Sequence, residues 1–571
     1  MRYILLATDY DGTLASQGHV REDIIESLKH VRSSGRKLAL VTGRHLPDLM
    51  SVFAQLDLFD VVVAENGALL YRPETREERV LGEAPNPKFI KMLEERGIPA
   101  AVGRGIVATW EPHQDAVLDC IRELGLDLQV IFNKGAVMVL PAGVNKASGL
   151  EAALKELGLS AHNVVGFGDA ENDHAFLSKC ECSVAVANAL ETLKERADIV
   201  TEKDHGDGVK EIIDQLLKND LADYDSLLRR HAITLGRTTD GKDNAVVVNP
   251  YRNSILVAGP SASGKSTAVA GILEQFEEHH YQFCLLDPEG DFENFAGALT
   301  LGTAKERPDP AGVLRVLGSP EQSVVVNLID VPLAGRPEYC AVLLPKIQDL
   351  RARTARPHWL IFDEAHHLLP ASWSPAAGTV PQAFETTILI TVHPEHVSPA
   401  ALKFTDVLLV TGNEPMKTLA AFAKAAGLAE PEGEEVDLEK SEAMVWFCRK
   451  GEKPVRVRTV PGKAERRRHV RRYAEGEMSP AQSFYFRGPE SKLNLRAQNL
   501  NTFLELAEGV DDDTWMFHLR RGDYSEWFRE IIKDEPLAQD AAGVEEDAAA
   551  TARDSRDKIK AAIETRYTAA A

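Results

Sequence analysis

The pattern that most constrains this chain is a short, wholly apolar run that ends at a polar turn and gives way to helical periodicity. It occurs at residues 3–8 (YILLAT), which lead into D-Y-D-G-T, and again from 254 (SILVAGPSASGKST). Similar runs follow the first at 38–41 (LALV), 61–64 (VVVA) and 163–167 (NVVGF), with helical spacing such as 20–32 between them. Others follow the second at 283–286 (FCLL), 324–329 (VVVNLI), 359–362 (WLIF), 388–392 (ILITV) and 406–411 (DVLLVT). Short apolar strands alternating with helices specify parallel sheets covered on both faces, so the expected fold class is α/β. Residues 84–143 interrupt the first series with two short helical patterns and strand-like stretches (AVGRGIVATW, QVIFNKGAVMVL), which reads as a small inserted α/β unit.

This divides the chain into a first core over 1–83 and 144–215, the insert at 84–143, linker or adjunct strands at 216–253, and a second α/β module at 254–460. Residues 461–540 read as a small, mostly helical unit in which Trp515, Phe517, Trp527 and Phe528 serve as packing anchors, because aromatic rings bury large area. The Ala- and acid-rich stretch 541–571 favours helix by propensity but shows little apolar stripe, so it is expected to be a solvated or frayed helix. A length of 571 residues agrees with several units, at ~100–200 residues each.

Lys and Arg number 65 against 87 Asp and Glu, a formal charge of −22. Phosphate backbones attract clustered cations, so this balance disfavours a surface wholly given to nucleic acid while leaving room for a local basic channel. Six cysteines in a chain this long are no disulfide framework, and Cys180 and Cys182 read as an ordinary pair rather than metal ligands. The start MRYILLATDYDG places acids directly after one apolar strand, unlike a signal peptide. No apolar run approaches the ~20 residues that span a bilayer. A cytoplasmic protein without a membrane partner is expected.

Asp9 and Asp11 follow the first apolar run, at the strand edge where α/β sites form. Thr42 stands after LALV in V-T-G-R, Lys146 in P-A-G-V-N-K, and Asp169 and Asp173 after NVVGF in G-F-G-D-A-E-N-D. Together they supply what phosphoryl transfer needs: a nucleophile, a proton carrier, a cation and an oxygen cage suited to Mg²⁺. On these motifs, residues 1–215 resemble the haloacid dehalogenase superfamily in its phosphatase branch, with a Rossmann-like core. The resemblance implies that Asp9 attacks phosphorus, forming an aspartyl-phosphate, and that Asp11 protonates the leaving group and then activates water. It implies that Thr42 and Lys146 hold the phosphoryl oxygens. Mg²⁺ would sit on Asp9, Asp169 and the backbone carbonyl of Asp11, with Asp173 binding or orienting it and Asn172 supporting the phosphate side. V-A-E-N-G-A at 63–68 and the insert after it resemble a C2-type cap of sugar-phosphate phosphatases, with Arg44, Glu65 and Asn66 at its floor and Arg104, His113 or Lys134 as candidate substrate contacts.

Residues 259–267 (GPSASGKST) match the phosphate-cradling loop G-x-x-x-x-G-K-[ST] between a strand and a helix. Gly259, Ser263 and Gly264 shape the loop, Lys265 reaches the β and γ phosphates, Ser266 holds Mg²⁺, and Thr267 contacts the α-phosphate or caps the helix. W-L-I-F-D-E at 359–364 ends a strand in two carboxylates: Asp363 suits the metal's water shell, and Glu364 suits the base that activates water. The pair favours ATP hydrolysis over kinase activity. On L-L-D-P-E-G-D-F (285–292), F-D-E-A-H-H-L (362–368) and T-V-H-P-E-H-V-S (391–398), the module resembles P-loop ATPases of the HerA, FtsK and type IV secretion group. That resemblance implies ring assembly, usually of six subunits, and translocation of DNA or protein. It also puts His393 at a sensor position and Asp287 and Glu289 beside the site. Arg351, Arg353 and Arg356 are the candidates for a trans-acting arginine.

The expected function is a bifunctional enzyme: a Mg²⁺-dependent phosphomonoesterase for a small metabolite such as a sugar phosphate, joined to an ATP-hydrolysing module that regulates, assembles or couples to it. The expected partners are that substrate, ATP and further copies of the chain. Two other readings stand beside it: a nucleic-acid end-processing phosphatase with a DNA- or RNA-coupled ATPase, and an ATP-gated structural oligomer. The basic run at 463–473 (KAERRRHVRRY) suits either a phosphate contact or a solvated helix, and His518 with Arg520 and Arg521 a weak anion site.

Overall fold

In the computed structural model the apolar runs become strands whose residues are buried on both faces. The description covers all residues except 134, 261–262, 294, 374–384, 461–477, 479–482, 533 and 568–571. The basic run at 463–473 and Lys134 therefore lie outside the described residues. Residues 1–460 form one compact unit and 461–571 another.

The first sheet begins with β1 (Leu5–Thr8), β2 (Lys37–Val41) and β3 (Val61–Ala64), followed by a meander of β4 (Leu69–Arg72) and β5 (Glu77–Val80). The insert then adds β6 (Ala101–Val102), β7 (Val107–Trp110), β8 (Leu128–Asn133) and β9 (Ala136–Pro141) before the chain returns through β10 (Val164–Gly168), β11 (Cys182–Ala185) and β12 (Ile199–Val200). The order is β12-β11-β10-β1-β2-β3-β4-β5. The six strands from β12 to β3 are parallel, and β4 and β5 are antiparallel. The insert is a separate antiparallel sheet, β6-β7-β9-β8, with its own core: Phe89 and Leu93 of helix Pro87–Glu95 meet Val117 and Cys120 of helix Gln114–Leu124.

The second sheet comprises β13 (Ile233–Thr238), β14 (Ala245–Val248), β15 (Ile255–Ala258), β16 (Phe283–Asp287), β17 (Ala298–Leu301), β18 (Ser323–Asn327), β19 (Trp359–Phe362), β20 (Thr387–Thr391), β21 (Val407–Thr411), β22 (Glu442–Phe447) and β23 (Val455–Thr459). Its order is β14-β13-β23-β22-β21-β15-β20-β19-β16-β18-β17. From β21 to β17 the strands are parallel, and the four at the other end are antiparallel. Residues 216–253 accordingly carry adjunct strands. Helix His205–Asn219 runs across the expected boundary, and β13 and β14 lengthen the second sheet by pairing with β23. One apolar cluster runs from Leu40 and Val165 of the first sheet through Phe276 and Tyr281 to Ile361 and Ile388 of the second.

In the unit 461–571, β24 (Phe484–Phe486) pairs with β25 (Leu495–Ala497), and helices pack around them. The expectation of a frayed tail is corrected here. Helix Ala552–Tyr567 buries Ser555, Ile559, Ile563 and Tyr567, one residue every four, and Trp515 Nε1 donates to Ser555 Oγ at 2.8 Å. Two of its four members, Ser555 and Tyr567, are polar or amphipathic, so the stripe does not stand out as apolar in the sequence. Among the described residues no helix is long and apolar enough to cross a membrane.

Candidate active site

Neighbouring parallel strands bring the acids of the first module together. Thr8 of β1 lies beside Phe167 of β10, so Asp9 and Asp169 leave the same sheet edge, and the Asp9 N–H donates to the Phe167 carbonyl. Asp173 follows in a single 3₁₀ turn, where its Oδ2 accepts the N–H groups of Asp169 and Ala170, both at 2.9 Å. Lys146 opens helix Lys146–Leu157. Asn145 caps that helix in a capping box with Ser148, which aims the first residue at the sheet edge. Its ammonium lies 2.6 Å from Asp9 Oδ1 and 2.5 Å from Asp173 Oδ1. Thr42 follows β2, anchored by its N–H to the Val63 carbonyl, while its Oγ1 accepts from Arg44 N–H.

Asp9, Thr42, Lys146, Asp169 and Asp173 are all under 5% exposed, so their charges interact in a weakly screened setting. Burial pushes the Asp9 carboxyl up, with Lys146 pulling against it and Asp173 adding to the rise. Burial would depress the Lys146 ammonium, but Asp173 and Asp9 outweigh it and hold it above its ordinary value. Carboxylate oxygens of Asp9, Asp169 and Asp173 lie within 4.8 Å of one another. Three hard oxygen donors converging this closely fit a divalent cation such as Mg²⁺. Thr13 Oγ1 donates to Asp169 Oδ1 at 3.1 Å, and Asn188 Nδ2 donates to the Gly12 carbonyl, tying down the D-x-D-G turn. Thr13 closes the D-Y-D-G-T motif, whereas no sequence motif marks Asn188.

The expected metal contact of Asp11 is its backbone carbonyl, and its side chain lies apart from the converging carboxylates. That side chain, 42% exposed, is clamped by Arg44, with Nε 2.6 Å from Oδ2 and Nη2 2.7 Å from Oδ1. Arg44 also reaches Asp48. Glu65 and Asn66 take left-handed backbone angles next to Gly67. The Glu65 carboxylate then accepts the N–H groups of Arg104 and Gly105, at 3.1 and 2.8 Å, clasping the insert. Asn172 Nδ2 donates to Asn66 Oδ1. The Arg104 side chain, by contrast, is exposed and pairs with Glu78.

The second module places its motif at the carboxyl edge of β15. Gly259 (φ +150°) and Gly264 (φ +99°) occupy conformations that L side chains rarely adopt, and a Cβ on Gly259 would meet the Thr411 carbonyl at 2.3 Å. Lys265 Nζ donates to the carbonyls of Gly259 and Pro260, and Ser263 Oγ lies 2.6 Å from Thr411 Oγ1. Ser266 is exposed and Thr267 half-buried at the start of helix Lys265–Glu278. Asp363 and Glu364 directly follow β19, both pushed up foremost by burial. Glu364 Oε2 stands 3.4 Å from His366. His393 is half exposed and pairs with Glu395. Asp287 accepts four backbone N–H groups, from Glu289 to Phe292, and so shapes its own turn.

Two of the three arginine candidates are held by carbonyls of their own chain. Arg351 is spent on the carbonyls of Pro357, Glu385 and His358, and Arg356, 1% exposed, on those of Leu317 and Gly158. Arg353 pairs with Asp349 one helical turn away.

Comparison with known proteins bears on the first module. The family model described as haloacid dehalogenase-like hydrolase matches residues 6–113 and 119–213. The chain is 34% identical over 221 residues to phosphoglycolate phosphatase 2 of Saccharolobus solfataricus, covering 38% of this chain and 92% of that protein. It is 30% identical over 222 residues to phosphoglycolate phosphatase of Methanothermobacter thermautotrophicus, covering 36% of this chain and 96% of that protein. A haloacid dehalogenase-like hydrolase from Bacteroides thetaiotaomicron superposes with a TM-score of 0.34 at 20% identity, over 38% of this chain and 99% of that one. Through residues 6–213, where the buried carboxylates and Lys146 converge, the chain belongs to the haloacid dehalogenase-like hydrolases.

Proposed function

We propose that the first module is a Mg²⁺-dependent phosphomonoesterase acting on a small phosphorylated metabolite, with Asp9 as nucleophile. The observation that carries this reading is the buried group of Asp9, Asp169 and Asp173 around the Lys146 ammonium. Mg²⁺ held by these carboxylates and the Asp11 carbonyl would supply positive charge to the phosphoryl oxygens. One Asp9 oxygen attacks phosphorus as the bond to the leaving oxygen breaks, and Asp11 gives that oxygen its proton. Water then attacks the aspartyl-phosphate, Asp11 takes a proton from it, and phosphate leaves with Asp9 restored. Lys146 and Thr42 bind the transferring oxygens throughout. For Asp11 to act, its carboxylate must leave Arg44, so substrate entry and release of that clamp are coupled. The insert, clasped by Glu65, covers the site and reads the leaving group.

The named relatives make phosphoglycolate the first substrate to try, ahead of sugar phosphates. The test is phosphate release from a panel of phosphoglycolate, sugar phosphates, nucleotides and 5′- and 3′-phosphorylated oligonucleotides. A small phosphomonoester as the preferred substrate supports the reading, and preference for oligonucleotides replaces it with end processing.

A second reading is supported by one observation: Lys265 folded onto its own loop carbonyls at the sheet edge that also carries Asp363 and Glu364. We propose that this edge binds ATP with Mg²⁺ on Ser266 and Asp363, with Glu364 as base, as in HerA-like ATPases. ATP hydrolysis lost in Lys265→Ala supports it, and hydrolysis unchanged in that variant overturns it. DNA-stimulated turnover or ring assembly would extend it.

A further inference from the structure

Where the first and second sheets meet, three side chains that neither motif uses converge on one point. Glu181 is 2% exposed and stands just before β11, His162 lies in the turn before β10, and His231 leads into β13 of the second sheet. His162 Nδ1 and His231 Nδ1 both face Glu181 Oε2, the first in very short contact and the second at 3.0 Å. The three donor atoms lie within 4.8 Å of one another, and the two rings meet edge to face at 86°.

The hydrogen bonds around them fix the chemistry. His162 Nε2 lies 2.6 Å from the His279 carbonyl, which can only accept, so Nε2 carries the proton. With Nε2 protonated, Nδ1 and Glu181 Oε2 face each other across one positive centre, a proton or a metal ion. An imidazole whose far N–H is held by a backbone carbonyl, facing a carboxylate and a second imidazole, is the ligand arrangement of zinc-class sites. Arg2 faces the other carboxylate oxygen, Oε1, at 3.5 Å, and the Tyr281 hydroxyl lies 3.4 Å from Oε1 and 3.5 Å from Oε2. We infer that His162 Nδ1, Glu181 Oε2 and His231 Nδ1 form a binding site for one divalent transition-metal ion of zinc's class, pinning the segment that enters the second sheet to the first. Water or the Tyr281 hydroxyl would complete four-coordination. The site is independent of the Asp9 chemistry.

The test uses full-length protein without a histidine tag, stripped with a chelator and titrated with Zn²⁺ against a competing indicator. Wild type should bind one equivalent more than Glu181→Gln or His231→Ala, with affinity for that ion falling at least about a hundredfold in each variant. Asp169→Asn and the double variant His393→Ala/His396→Ala should keep this equivalent. Co²⁺ on wild type should give the visible absorption of a tetrahedral nitrogen–oxygen site, a readout that does not depend on how well the variants fold. Equal uptake by wild type and both variants, or no tetrahedral Co²⁺ spectrum, overturns the proposal and leaves a proton as the positive centre.

Discussion

The Lys146 ammonium lies 2.6 Å from Asp9 Oδ1, and both groups are almost wholly buried. A lysine so placed balances carboxylates that would otherwise repel one another and the incoming phosphate. Lys146→Met should therefore lower the rate of phosphate release by about 10²–10³-fold, the range for losing one preorganised electrostatic contact. It should also cost about 3 kcal/mol of stability, since a buried charge pair is broken on one side. Initial rates and denaturant unfolding of the same preparation check both.

Gly149 and Gly67 set the position of that lysine. A Cβ on Gly149 would meet Val63 Cγ1 at 2.4 Å and the Gly67 Cα at 2.8 Å, and one on Gly67 would meet the Asn145 carbonyl at 1.9 Å. Gly149→Ala must push helix Lys146–Leu157 away from the sheet. Activity should fall at least about tenfold while the overpacking costs about 1–3 kcal/mol. Wild-type activity in this variant would show that the site tolerates displacement of Lys146.

Glu65 joins the core to the insert through the N–H groups of Arg104 and Gly105. Glu65→Ala leaves both donors without that acceptor, at a cost of about 1–3 kcal/mol. The insert should then close less firmly, raising KM more than it lowers kcat. Steady-state kinetics on the preferred substrate make the distinction.

Much of this site was legible because each residue directly follows a strand or opens a helix: Asp9 after β1, Thr42 after β2, Asp169 after β10 and Lys146 after its Asn145 cap. The lateral relations were not legible. The Arg44–Asp11 clamp depends on the route of the turn after β2, and the Glu65 clasp on consecutive left-handed residues. Arg351 and Arg356 are trans-acting candidates by sequence, but their guanidinium groups fold back onto carbonyls that only the tertiary fold brings within reach.

Arg356 supplies a test of that last point. It donates to Gln282 Oε1 and to the carbonyls of Leu317 and Gly158, and burial pushes its pKa down to about 10. Arg356→Met should destabilise the protein by about 3 kcal/mol by leaving these acceptors unpaired. A variant of unchanged stability, read by chemical denaturation, would contradict the structural role.

His518 gives the second unit a pH dependence. Burial lowers its pKa against the pull of Asp523, and its Nε2 accepts the Arg487 N–H, which requires the unprotonated ring. Unfolding restores the ordinary value of about 6.5, so the unfolded chain binds more protons below that pH. The contribution is complete above about pH 6.5 and is lost as the pH falls toward the lower folded value. Hydrogen exchange of helix Asp512–Leu519 should quicken over that interval in wild type and vary less in His518→Gln.

The central claim is tested most directly by Asp9→Asn, which keeps the shape of the side chain and removes the nucleophile. With Mg²⁺ and the preferred phosphomonoester, phosphate release should fall at least about a thousandfold, while the Lys265→Ala enzyme, altered only in the second module, retains it. Release at the wild-type rate from Asp9→Asn would place the chemistry elsewhere.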